Sequence, residues 1–185
     1  MEHTIRTVRA GEWERVKELR LAGLGDPAAP VAFLDTYENA VARPDAYWRE
    51  RARGNTDGDT ATTFIAEGPD GGWAGTVTVR LELPGVDNAF GTPAGMPQTH
   101  LTGVFVRPEH RGTGLADALF RAAIDHSWSL DEPRVARVRL YVHERNDRAR
   151  AFYRKLGFEP TGEALPLEAD PSAFEHEMSL ARPRR

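Results

Sequence analysis

Cysteine is absent from this 185-residue chain. That excludes disulfides, thiolate metal sites and a cysteine nucleophile, and with the last it removes the commonest route to an acyl-cysteine intermediate. Long apolar runs are also missing, and no stretch approaches the ~20 residues that span a bilayer. The opening residues, Met1 to Trp13, are polar, so no signal peptide is expected. Neither sign of charge dominates: 24 Lys+Arg against 28 Asp+Glu give a net charge of -4, which the short basic tail (Arg182, Arg184, Arg185) does not alter. Nothing global draws the molecule to nucleic acid. These absences lead us to expect a soluble cytoplasmic protein, a monomer or homodimer, with no metal, no membrane partner and no nucleic-acid partner.

What is present is ordinary for a globular chain, with 40% hydrophobic and 28% charged residues. The length suits one domain, spanning residues 1–185. Ile5 and Val8 bracket a short strand, and Trp13, Val16, Leu19 and Leu24 recur at helical spacing. Gly25, Asp26, Pro27 and Pro30 break that helix, and a second helical stretch runs from Asp35 to Arg53 with Pro44 as a kink or break. Thr62–Glu67 and Trp73–Leu83 flank the turn Gly68-Pro69-Asp70-Gly71-Gly72 and read as an antiparallel hairpin. Pro84–Gln98 is a long irregular connection, of the kind that is either a surface loop or a substrate-side flap.

The second half alternates strand (Thr99–Val106), helix (Gly114–Ser129), strand (Val135–Val142) and helix (Asp147–Leu156). Strand-like segments follow from Phe158 and over Phe174–Leu180. Strand–helix–strand connections put two strands parallel, while the first half adds antiparallel ones, so a mixed α/β sheet flanked by helices is expected.

Two segments carry chemistry. In Val104-Phe105-Val106-Arg107-Pro108-Glu109-His110-Arg111-Gly112-Thr113-Gly114-Leu115-Ala116, a strand ends at a proline and two glycines precede a helix with Ala116, Leu119, Phe120 and Ala123 as its apolar stripe. Glycines permit a tight turn and close approach of a ligand, and the free amides at a helix start suit a phosphate. Asp117 can cap that helix but would repel an adjacent phosphate. No Gly-Lys-Ser/Thr follows, so this is not a nucleoside-triphosphatase loop. By itself the segment is equally a loop that turns a corner. The second segment runs from Val138 to Val142 and on through His143-Glu144-Arg145-Asn146 to Ala149, Phe152, Tyr153 and Leu156, which share one helix face. Asn146 sits where an N-cap belongs and Gly157 where a C-terminal stop belongs.

Arg111-Gly112-Thr113-Gly114-Leu115-Ala116 matches R-x-x-G-x-A, and residues 146–158 follow N-x-x-A-x-x-F-Y-x-K-x-G-F. Together they resemble the GNAT superfamily of N-acetyltransferases over Val104–Phe158. The resemblance implies a mostly antiparallel sheet with one parallel pair splayed to admit acetyl-CoA. It implies that the amides of residues 112 to 117 (Gly112, Thr113, Gly114, Leu115, Ala116, Asp117) hold the pyrophosphate, with Arg111 beside them. The backbone of Val104, Phe105 and Val106 would pair with the pantetheine arm as an added strand. Asn146, with Ala149 and Phe152 on the same helix, would contact that arm, and Tyr153 would lie near the thioester sulfur.

The implied reaction is acetyl transfer from acetyl-CoA to a primary amine, the acyl group being acetyl or longer. An ammonium must lose a proton before it attacks, and the leaving thiolate must gain one. Tyr153 is the candidate acid. No carboxylate stands between Thr99 and Val106. His100 is the candidate relay, with Glu38 and Glu82 as further carboxylates that could face the cleft. The lack of cysteine favours direct attack in a ternary complex. Arg107 and Arg111 are either phosphate partners or solvated surface charges. The helical region Leu24–Arg53, opposite Pro84–Gln98, is the expected acceptor wall and contains Phe33, Tyr37, Glu38, Tyr47 and Trp48, of which Tyr47 and Trp48 more readily pack the helix on the sheet. The competing reading is a non-catalytic acyl-CoA-binding or regulatory module.

Overall fold

The structure, a computed structural model, describes residues 2–54, 60–88 and 90–184. Ala89 of the long connection and Arg185 of the basic tail lie outside the described residues. In chain order come β1 (Thr4–Thr7), α1 (Trp13–Leu24), α2 (Ala29–Ala32), α3 (Tyr37–Ala42), α4 (Asp45–Gly54), β2 (Ala61–Glu67), β3 (Trp73–Glu82) and β4 (Gln98–Val106). Then follow α5 (Leu115–Ser129), β5 (Arg137–His143), α6 (Asp147–Lys155), β6 (Glu159–Pro166) and β7 (Phe174–Ala181). The strands form a seven-stranded sheet in the order β1-β2-β3-β4-β5-β7-β6. Neighbours among the described residues are antiparallel except β4 and β5, which are parallel and joined through α5. No helix among the described residues is long and apolar enough to cross a membrane.

The expected elements form, the break at Pro44 included, with two instructive differences. The Gly25–Pro30 break contains a short helix, α2, with proline in its first turn, where the missing N–H costs no hydrogen bond. The 35–53 stretch divides at Pro44 into α3 and α4, the former capped by Thr36, whose side chain accepts from the Asn39 amide at 3.2 Å. On α5 the core stripe is Leu115, Leu119, Phe120 and Ala123, while Ala116, placed on the stripe by spacing, is only partly buried. Leu115 has the larger side chain to bury, and it rotates the first turn by one residue relative to expectation.

The main core cluster lies between the sheet and α5/α6. Val77, Val79, Leu101, Val138, Leu140, Val142 and Met178 meet Leu119, Phe120, Tyr153 and Phe158 there. Across the opposite face lie α1 to α4. Trp48 is fully buried against Leu24 and Ala40, so it packs the helices rather than lining a cleft.

Strand alternation also buries charge. Arg139 is 0% exposed and lies 2.6 Å from Glu82 on β3 and 2.9 Å from Glu177 on β7, so it bridges across the parallel pair. Arg137 joins Glu177 at 3.1 Å, and Gln98 donates to Glu82 at 2.8 Å. Arg139 also donates to the Thr92 carbonyl at 2.8 Å, which anchors the 84–97 connection to the sheet. Burial pushes Glu82 and Glu177 up. The bonds from His100 and Gln98 together with Arg139 outweigh it at Glu82, as do Arg139, Thr161 and Arg137 at Glu177, and both carboxyls end below the usual range.

Removing the shared cation strands two buried carboxylates. Arg139→Met should cost about 3–5 kcal/mol at pH 7. A depressed carboxylate contributes its full stabilisation above the unfolded pKa, near 4.3, and loses it as pH falls through the folded value. The loss in Arg139→Met should therefore shrink at pH 4. Urea unfolding at the two pH values checks this, and equal losses at both would refute the network as the cause.

Candidate active site

β4 and β5 pair only through Gln98↔Arg137, Thr99↔Val138 and His100↔Arg139. Beyond that point β4 runs on to Val106 and β5 to His143 without meeting. The reason is local. Gly103 takes φ +61°, and the register against β3 shifts between Thr76 and Thr78, so β4 carries a bulge. A bulge increases twist and turns its strand away from a neighbour. The parted edges leave backbone donors and acceptors that a ligand or water must satisfy. Around the gap lies a cavity of about 720 Å³.

Of the residues expected to serve the site, Val104, Phe105, Val106, Arg111, Gly112, Gly114, Ala116, Asp117, Asn146, Ala149, Phe152, Tyr153 and His100 all line this cavity. Thr113 and Leu115 do not: the Thr113 hydroxyl donates to the His110 carbonyl at 2.6 Å, and Leu115 is in the core. Gly112 (φ 77°) and Gly114 (φ 85°) hold left-handed backbone, and nothing stands within 4 Å of a Cβ built on either. The turn therefore needs glycine for its conformation and leaves open space above the first amides of α5. Those amides have no partner within the helix. The Asp117 side chain lies in the first turn, and Gly114 caps the helix without a side-chain bond.

Arg111 lines the cavity but is not free. Its Nε donates to the Val106 carbonyl at 3.0 Å, and its terminal nitrogen lies 2.6 Å from Asp26. It ties the glycine turn to the α1–α2 corner. Arg107 is spent outside the cavity, on the Trp73 carbonyl at 2.7 Å and Glu18 at 2.8 Å. Asn146 is likewise engaged: its Oδ1 accepts from the Ala149 amide at 3.2 Å as the N-cap of α6, and its Nδ2 donates to the Val31 carbonyl at 3.3 Å. What it offers a ligand is its place at the mouth of the gap.

Tyr153 packs its ring at 5.5 Å from Phe120, 5.9 Å from Phe152 and 6.2 Å from Phe158. Its hydroxyl has no hydrogen-bond partner among the described residues. Burial, with a smaller contribution from Glu175, pushes its pKa well above the ordinary phenol value, so it stays protonated.

His100 is not a surface residue at a strand end. It is 3% exposed, and its Nδ1 sits 2.9 Å from Glu82 Oε1. Burial lowers its pKa below the ordinary histidine value against the pull of Glu82. The imidazole is therefore neutral at pH 7. Its Nδ1–H donates to Glu82, and Nε2 is left as an acceptor with no partner among the described residues. The carboxylate missing from β4 is thus supplied by β3, where His100 and Arg80 are register partners and Glu82 lies two residues beyond. Glu38, by contrast, is exposed and outside the cavity.

The structure adds residues the sequence did not single out. Tyr141 lines the cavity with its ring 5.4 Å from that of His100, and its hydroxyl accepts from the Thr92 amide at 3.0 Å and from Arg139 at 3.1 Å. Phe90 stands 5.1 Å from Tyr141. Glu175 is 8% exposed, lines the cavity without a side-chain partner, and is pushed up to about 7 by burial. Alternation along β7 puts Glu175 and Glu177 on one face, a visible signal, but which way that face points depends on the register with β5. From the expected acceptor wall, Leu24–Arg53, the stretch Asp26, Ala28, Ala29, Val31, Ala32, Phe33, Leu34 and Asp35 lines the cavity, joined by Arg20 of α1, whereas Tyr37, Glu38, Tyr47 and Trp48 do not. Among the described residues no cluster of His, Asp and Glu could hold a metal ion.

The comparisons agree with this geometry. A Streptococcus pneumoniae acetyltransferase of the GNAT family superposes with a TM-score of 0.71 at 19% identity, covering 98% of this chain and 100% of that one. Spermidine N-acetyltransferase from Vibrio cholerae, in complex with CoA and spermine, gives 0.69 at 16% identity, covering 97% and 95%. Arabidopsis thaliana NAA60 in complex with acetyl-CoA gives 0.68 at 15% identity, covering 97% and 98%. At these identities the likeness shows the fold. In sequence, the chain is 33% identical over 67 residues to a Bacillus subtilis protein described as a putative [ribosomal protein bS18]-alanine N-acetyltransferase, over 36% of this chain and only 42% of that protein. Residues 30–158 match the acetyltransferase (GNAT) family, and with the parted strands, the glycine turn and the Asn146–Tyr153 helix on one cavity, the chain belongs to that family.

Proposed function

We propose that this protein is an acetyl-CoA-dependent N-acetyltransferase, acting in the cytoplasm as a single domain on a primary amine. The observation that carries this reading is the meeting of three features in one cavity: an unpaired strand edge, an amide-rich glycine turn, and two proton-handling groups, Tyr153 and His100. The gap between β4 and β5 fits an extended pantetheine arm, because the β5-side edge of β4 has no strand beside it over Val104, Phe105 and Val106. The open space over Gly112 and Gly114 fits the pyrophosphate, held by the amides of residues 112 to 117. Ala149 and Phe152 supply the apolar wall along the arm.

The reaction joins the amine nitrogen to the thioester carbonyl carbon and breaks the carbon–sulfur bond. The acceptor ammonium first gives a proton to His100 Nε2, and the imidazolium that forms is stabilised by Glu82 on its other nitrogen. Tyr153 gives its proton to the departing thiolate and recovers one from the attacking nitrogen, which sheds its second proton as the amide forms, while the His100 imidazolium releases the first proton to solvent. Binding amine and thioester together in a dry cavity supplies much of the remaining rate.

Three measurements test this. Calorimetry with acetyl-CoA should show binding to the native chain and none to Gly114→Glu, whose side chain would enter the pyrophosphate space from a left-handed backbone. Tyr153→Phe should lower kcat by about 10²–10⁴-fold and leave the KM for acetyl-CoA nearly unchanged. Full turnover in that variant would remove Tyr153 from the chemistry, and tight coenzyme binding with no turnover on any amine would favour a non-catalytic module. Finally, a base must be deprotonated to act, so kcat/KM should rise with pH on a limb below the ordinary histidine value near 6.5, and His100→Gln should abolish it. A limb near pH 7 that survives in His100→Gln and vanishes in Glu175→Gln would instead assign the base to Glu175.

A further inference from the structure

The acceptor side of the cavity holds more positive charge than it neutralises. Arg20 on α1 lines the main cavity and also a small adjoining one of about 40 Å³ between α1 and the sheet. Arg51, Thr63, Thr76, Thr78 and Gly103 line that smaller space, and Gly103, at the bulge where the strands part, belongs to both. The nearest carboxylate to Arg20 is Asp35 at 3.9 Å, and Asp35 gives its short ion pair, 2.6 Å, to Arg43. Among the described residues the Arg51 side chain bonds the Tyr47 hydroxyl at 3.2 Å and no carboxylate. Arg80, on the neighbouring strand, has no hydrogen bond or ion pair among the described residues. The carboxylate nearest it in sequence, Glu82, is taken by Arg139 and His100.

Buried or half-buried cations in folded proteins are normally paired. Here they are not. Arg20 lies over the Phe33 ring at 4.7 Å, and its Nε is buried with no partner. Burial, with repulsion from Arg51, draws its pKa down to about 10, and the same two causes lower Arg80. The nearby hydroxyls do not relieve this: Thr63 and Thr78 bond each other at 2.7 Å, and Thr76 donates to the Phe64 carbonyl at 3.0 Å. A guanidinium fork is shaped for a carboxylate. A space of about 40 Å³ admits only a small group, and it suits a carboxylate better than a bulkier anion.

We propose that the acceptor is a small zwitterionic amine whose carboxylate is held by Arg20 and Arg51 beside Gly103, while its amino group faces His100 and the thioester. This deepens the acetyl-transfer reading by naming the substrate class. It also separates the cavity into two poles, with the amine toward His100 and Tyr141 and the anion under α1. A polycationic acceptor would bring its second charge against Arg20.

The test uses matched pairs on the full chain: glycine and glycinamide, β-alanine and β-alaninamide, 4-aminobutanoate and its amide. Acetylation is read by mass spectrometry, and binding to the CoA-loaded protein by calorimetry. The carboxylates should be preferred in kcat/KM by roughly tenfold or more, and the preference should fall toward one in Arg20→Gln. Arg51→Gln provides a second reading should the first variant fail to fold by urea unfolding. Equal use of amides and carboxylates, or an unchanged ratio in the folded variants, would overturn the proposal, as would neither binding nor acetylation of any probe. Carboxylates that bind but are never acetylated would uphold the anion site and sink acetyl transfer. Amides acetylated without preference would do the reverse.

Discussion

The parting of two parallel strands after three paired residues organises this protein. Sheets gain by pairing every backbone group, so a gap inside one must be imposed. Here the imposition is the bulge at Gly103, which turns β4 outward, while the Glu82–Arg139–Glu177 bridge pins the closed end of the same strand pair. One end is tied by buried charge and the other is held open by backbone geometry. The cavity, the exposed edge of β4 and the position of His100 all follow from that contrast.

The same buried network links stability to chemistry. Glu82 neutralises Arg139 through one oxygen and holds His100 through the other. The carboxylate that orients the imidazole is therefore itself fixed by a buried ion pair, and the imidazole is held in place by the residues that keep the sheet together. Tyr141 extends the arrangement to the 84–97 connection through Thr92, so the loop bordering the acceptor side is anchored to the same cation. On the far side of the gap, Arg111 performs a comparable task, since its bonds to Val106 and Asp26 hold the glycine turn against the α1–α2 corner. Arginines in this fold mostly position other groups, and Arg20, which lacks a close partner, stands out against that background.

The glycine-turn and α6 side of the cavity was legible because it depends on backbone conformation, and backbone conformation leaves marks in sequence. Gly112 and Gly114 are where left-handed residues are needed, Asn146 is an N-cap, and Ala149, Phe152, Tyr153 and Leu156 have a helical period. The acceptor half depends on side chains that meet across the sheet. Glu82 and His100 are 18 residues apart and Arg20 and Gly103 further still, so no local pattern announces them. Trp48 and Tyr37 show the converse hazard: aromatic residues near a supposed cleft, one buried in helix packing and the other on the surface.

By itself, the sequence determined the order and kind of the elements, the mixed sheet, the glycine turn before α5 and the capped helix that carries Tyr153, because periodicity, capping and turn chemistry are local constraints. The tertiary structure alone decided that β4 and β5 part, that His100 is buried on Glu82, that Arg107, Arg111 and Asn146 are already engaged, and that Arg20 faces the acceptor space without a close counterion. Those outcomes are set by strand register and by which charges burial forces together, and neither is written at any single position of the chain.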